Sequence, residues 1–91
     1  MLTDTTIAAR ADNKVAAEIG DETVILDIES GYYFQLNVTG ARIWSLLESP
    51  LSIGALCEKL QTAFEIDADT CRSEVIAFVE TMLDKKLATV S

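Results

Sequence analysis

The chain has 91 residues, 49% of them apolar, and a formal net charge of −8 at neutral pH with no histidine. That length fits one domain with a small core, and the apolar content excludes a disordered tail. The negative charge disfavours phosphate backbones while leaving a basic or neutral peptide open as a partner.

No apolar run approaches the ~20 residues that span a bilayer. The N-terminal stretch holds Asp4, Arg10 and Asp12 and no apolar h-region, so no signal peptide is expected and the expected setting is the cytoplasm, with no membrane partner. Residues 1–13 are small and polar apart from Leu2 and Ile7 and predict a flexible arm with a short strand near Ile7. The domain proper is expected over 14–91.

Residues 14–19 predict a weak first strand with Val15, Ala17 and Ile19 on one face, turning at Gly20-Asp21-Glu22. Val24, Leu26 and Ile28 alternate in the next strand, and Tyr32, Phe34 and Leu36 alternate in the third. Glu29-Ser30-Gly31 fits a type I turn whose glycine takes the positive φ of a bulge. In that register Ile28 faces Tyr32, Leu26 faces Phe34 and Val24 faces Leu36, so all six share a buried side. Three strands joined by tight turns form an antiparallel meander.

A first helix starts near Asn37 or Thr39, both good caps, and ends at Ser49-Pro50, since the residue before proline avoids the α region. Gly40 and Ala41 are small enough to allow close approach to the sheet. Ser52 caps a second helix with a stripe of Ile53, Leu56, Cys57, Leu60, Ala63 and Phe64. Asp67 caps a third, longest helix that runs to about Lys86, followed by an extended tail over 87–90. The expected fold is therefore α+β and winged-helix-like: a three-stranded antiparallel sheet followed by three helices. Phe34, Leu36, Trp44, Leu60, Phe78 and Met82 are expected in its core. The third helix carries two stripes, one of Cys71, Val75, Phe78 and Met82 and one of Ile76, Val79 and Leu83. The second stripe is either extra core or a surface for a partner.

Catalytic and cofactor signals are absent from the sequence. Without histidine there is no Cys/His zinc site and not the commonest general base. Cys57 and Cys71 sit on apolar helix faces in no ligand spacing and read as buried, reduced thiols. The four glycines are scattered and form no phosphate loop. The serines and carboxylates are placed for caps, turns and polar faces. The sequence argues for a binding module rather than an enzyme, with no cofactor and no metal. A winged-helix regulator that binds DNA is the rival, yet the second helix offers only Lys59, and the third sets Arg72, Lys85 and Lys86 against four acidic residues. No nucleic-acid partner is expected. A purely structural or dimerising domain is the other alternative.

The run Leu26-Asp27-Ile28-Glu29-Ser30-Gly31-Tyr32-Tyr33-Phe34-Gln35-Leu36-Asn37, then Thr39-Gly40-Ala41-Arg42-Ile43-Trp44-Ser45-Leu46-Leu47, resembles the PqqD family, also called the RiPP recognition element. Phe64-Glu65-Ile66-Asp67 before a long helix with Val75, Phe78, Val79 and Leu83 adds to the resemblance, which covers about two thirds of the chain. It implies a non-catalytic protein that binds the leader segment of a ribosomally made precursor peptide. The leader would add as a strand to the third strand and lie beside the last helix. The bound peptide would then be presented to a leader peptidase and cyclase, or to another modifying enzyme. On this reading Tyr32, Tyr33, Phe34, Gln35, Leu36 and Asn37 offer the edge, and Arg72, Ile76, Val79 and Leu83 the helical wall. Glu-Ser-Gly in the hairpin and Leu-Leu-Glu-Ser-Pro after the first helix differ from the pyrroloquinoline quinone branch of the family. Tyr33-Phe34-Gln35-Leu36-Asn37 leans towards the discrete lasso-peptide type.

Overall fold

The computed structural model describes residues 2–20 and 22–91. In chain order the elements are β1 (Ile7–Arg10), β2 (Lys14–Ile19), β3 (Glu22–Asp27), β4 (Tyr33–Leu36), α1 (Val38–Leu46), β5 (Leu51–Ser52), α2 (Ile53–Ala63), α3 (Ala68–Asp84) and β6 (Ala88–Val90). The class is α+β, as the sequence predicts, with two three-stranded antiparallel sheets instead of one.

The expected meander is the sheet β2-β3-β4. Its register differs from the expected one by a single residue. Ile25, not Leu26, lies opposite Phe34, and Thr23 lies opposite Leu36. The turn causes this. Asp27 donates its N–H to Tyr32 O at 2.9 Å, so the loop holds residues 28–31, one more than Glu29-Ser30-Gly31 alone. The Asp27 carboxylate accepts from the Glu29 N–H at 3.1 Å and from the Ser30 hydroxyl at 2.9 Å, closing an Asx turn. Gly31 takes the expected positive φ, +78°, and gives its N–H to Asp27 O at 2.8 Å. A one-residue change in a hairpin turns every side chain of one strand over. Thr23 and Ile25 therefore face the helices, while Leu26 and Ile28 stand 41% and 57% exposed on the outer face.

The second sheet has the order β5-β1-β6 and ties the N-terminal segment to the C-terminal tail. Ala8 pairs with both Leu51 and Val90 and is fully buried. Ile7 and Ser91 exchange N–H···O bonds at 3.0 and 2.9 Å. Arg10 fastens β1 to α1, its guanidinium donating to Trp44 O at 2.6 and 3.1 Å and lying 4.7 Å from the Trp44 ring centre. The short strand expected near Ile7 forms at residues 7–10, paired on both sides within this sheet and not carried on a flexible arm.

The helices begin at caps legible in the sequence. Asn37, Ser52 and Asp67 each accept a backbone N–H three residues on, from Gly40, Ala55 and Thr70. α3 ends in a Schellman turn: Leu87 N–H reaches Met82 O at 2.8 Å and Lys86 N–H reaches Leu83 O, with Lys86 at φ 61°. Two apolar clusters result. One joins Ile43, Leu47, Ile53, Leu56, Leu60, Cys71, Val75 and Val79 between the helices; the other joins Ile25, Leu36, Trp44, Met82 and Leu87 beneath β3 and β4.

Candidate functional site

β4 is one of the two outer strands of its sheet, β2 being the other. Asp27 and Tyr32 are a directly bonded pair, so by antiparallel alternation Phe34 and Leu36 also bond inward to β3. Tyr33 and Gln35 therefore turn their N–H and C=O groups outward, away from the sheet. An edge of this kind is a template for another extended chain.

Beside that edge runs a groove of about 510 Å³, lined by β4, by Asn37 and Gly40 at the start of α1, and by Ala77, Phe78, Thr81, Met82 and Lys85 along α3. Phe34 and Phe78 are half-buried, each with one face on the core and the other in the groove. Lys85 places its ammonium 5.3 Å from the centre of the Phe34 ring. Gly40 lets Phe78 approach: a Cβ there would sit 3.0 Å from Phe78 Cε1. The groove continues past Phe78 into a depression bordered by Thr39, Ile43 and Glu74. A smaller hollow of about 210 Å³ lies between the edge strand β2, the β2–β3 turn and α1, and its Glu18, Glu22 and Arg42 make it polar.

Of the residues singled out in the sequence, Tyr33, Phe34, Gln35, Leu36 and Asn37 line this groove. Tyr32 lies just before it, 70% exposed. The four on α3 are not in the groove. Val79 is 0% exposed, inside the helix cluster. Ile76 and Leu83 pack against that same cluster. Arg72 is on the surface, where its Nη2 pairs with Asp4 Oδ1 at 2.9 Å. The expected wall of Arg72, Ile76, Val79 and Leu83 therefore lies on a different side of α3 from the groove. Two adjacent stripes gave no phase; contact between Gly40 and Phe78 sets it, turning Ala77, Phe78, Thr81 and Lys85 to β4. The order of Phe78, Met82 and Lys85 at helical spacing, opposite a small residue on α1, was the available signal.

Cys57 and Cys71 lie in the helix core as free thiols, Cys71 Sγ 3.6 Å from Cys57 O. Burial pushes the Cys57 thiol up to about 11, with the neighbouring Cys71 adding to the effect, and burial raises Cys71 too. Among the described residues no group of three or more His, Cys, Asp or Glu is placed to hold a metal. What the site can do is pair a backbone and receive side chains.

Comparison with known proteins gives a family and two related folds. The family model of coenzyme PQQ synthesis protein D matches residues 22–88, which hold β3 through the start of β6. Among solved structures, TbiB1 in complex with the TbiA(beta) leader peptide superposes with a TM-score of 0.80 at 30% identity, covering 88% of this chain and 93% of that one. Lasso peptide synthetase B1 complexed with the leader peptide superposes with a TM-score of 0.77 at 24% identity, covering 90% of this chain and 96% of that one, a likeness of fold. No curated protein matches.

Proposed function

This chain belongs to the PqqD family, and from that premise we propose that it binds the leader segment of a ribosomally synthesised precursor peptide by strand addition at β4. The observation that carries the reading is the open edge of Tyr33 and Gln35 beside an apolar groove walled by Phe34, Phe78 and Met82. Main-chain bonds to the edge supply affinity, and the groove selects side chains. The relative TbiB1, bound to a leader peptide, supports this use of the fold. The chain then acts without catalysis, as an adaptor that presents the leader to modifying enzymes. The likeness to TbiB1 supports a lasso-type pathway with a separate leader peptidase and cyclase. The family description favours a second product, the quinone cofactor, but the Glu29-Ser30-Gly31 turn sets this chain apart from that branch.

The test is a fluorescence titration of the TbiA(beta) leader peptide, and of precursor leaders encoded beside the gene for this chain. Phe78→Asp puts a charge where an apolar side chain would be buried and is expected to weaken binding ~10-fold or more. Arg72→Ala, on the far side of α3, is expected to leave it unchanged. The reverse pattern would move the site to the other face of the helix.

A further inference from the structure

The groove is electrically polar along its length, and we infer that this polarity fixes the direction in which an extended peptide lies. The inference rests on the leader-binding reading and adds the charge and orientation of its ligand. Among the described residues, the groove and its continuation are lined by two ionised side chains, Lys85 at one end and Glu74 at the other. Lys85 stands over Phe34, near the start of β4. Glu74 borders Asn37 and Thr39, past the end of β4. Glu22, whose carboxylate accepts from the Gln35 side-chain amide, lines the neighbouring polar hollow and not the groove. Glu80 and Asp84 of α3 lie outside the lining.

At a rise of 1.5 Å per residue Glu74 and Lys85 are about 16 Å apart along α3. An extended chain covers that distance in about five residues. The side chains that enter a groove alternate, so the two complementary charges fall about four to six residues apart in the peptide. β4 continues an antiparallel sheet, and its outward pairs at Tyr33 and Gln35 accept an antiparallel neighbour with the better hydrogen-bond geometry. An antiparallel peptide enters with its N-terminal part beside Leu36 and leaves beside Tyr33. Its N-terminal part then meets Glu74 and its C-terminal part meets Lys85. The ligand is therefore an extended segment with a Lys or Arg about four to six residues before an Asp or Glu, flanking apolar residues that meet Phe34 and Phe78. The reversed chain places like charges at both ends.

Selection of a displayed random-peptide library against the wild type and against Lys85→Glu/Glu74→Lys tests this. Both positions are exposed, and circular dichroism confirms that the exchanged protein folds. Wild type is expected to enrich basic-before-acidic segments and the exchanged protein acidic-before-basic ones. A peptide chosen by the wild type should bind the exchanged protein about 3–10-fold more weakly, in line with two exposed ion pairs turned to repulsion, and high salt should shrink the difference. Enriched peptides without charge order, or with the same order on both proteins, overturn the inference and leave leader binding standing. Failure to enrich any peptide on either protein overturns leader binding and this inference with it.

Discussion

A Cβ on Gly40 would lie 3.0 Å from Phe78 Cε1 and 3.3 Å from Asn37 Oδ1, so an alanine there crowds both the groove wall and the α1 cap. Phe78 can give way because it is the end of a side chain bordering open space. Gly40→Ala should therefore fold, with peptide affinity falling severalfold more than stability does; a thermal melt beside a titration reads the two. Lys86 presents the opposite case, a residue with a Cβ held at φ 61° in the Schellman turn. Relief of that conformation by glycine outweighs glycine's greater entropy in the unfolded chain, and Lys86→Gly should raise stability by about 0.5–1 kcal/mol in urea unfolding. Cys57, with its thiol pushed up to about 11, should resist alkylation in the native protein at pH 8 and react at the rate of an ordinary thiol once unfolded. The caps Ser52 and Asp67 were legible residue by residue, and Asn37 as one of two candidates with Thr39, because capping needs only a short polar side chain at the right offset. The exposure of Phe34 and Phe78 was not: an aromatic side chain in a binding groove has the same spacing as one in a core.

The hairpin shows where periodicity stops being enough. Alternation in β3 was visible, but which of its faces is buried depended on the number of residues in the turn, and that depended on Asp27 forming an Asx turn. The same residue ties the hairpin to pH. Burial would raise the Asp27 carboxyl, but hydrogen bonds from Ser30 and Lys14 outweigh it and hold the group below the ordinary value; Thr70 does the same for Asp67 at the α3 cap. A carboxylate lowered in the folded state contributes stability that is complete above its unfolded value, about 3.9, and is lost as pH falls through the folded values. The melting temperature should be flat from neutral pH towards about 5 and fall below about 4; Asp27→Asn should flatten part of that fall. In α3 both stripes were legible, and their phase was not. One consequence is sharp: Val79, fully buried, tolerates no charge, so Val79→Glu should unfold the domain instead of only blocking a ligand.

At the scale of the molecule, the order of strands and helices was legible, and the second sheet was missed. β1 is Ile-Ala-Ala-Arg, and β5 has only two residues, too short and too poor in large apolar side chains to show a period. Their pairing comes from long-range contact with β6, which no local pattern encodes. Tyr33 to Asn37, which the family resemblance singles out, lie along the groove, while Arg72, Ile76, Val79 and Leu83, placed by helical phase alone, lie outside it. With −8 net charge and no basic face on α2 or α3, the chain should show no retention of random duplex DNA at physiological salt in a gel shift. On the proposed function, an extended peptide completes the sheet at β4. Amide hydrogen exchange of the ¹⁵N-labelled protein, with and without a bound leader peptide, measures it directly. Strand addition at β4 should give new protection at the outward N–H groups of Tyr33 and Gln35, with little change at Phe34 and Leu36, which are already bonded to β3. Binding that leaves Tyr33 and Gln35 exchanging freely, or that protects the Arg72 side of α3 instead, would contradict it.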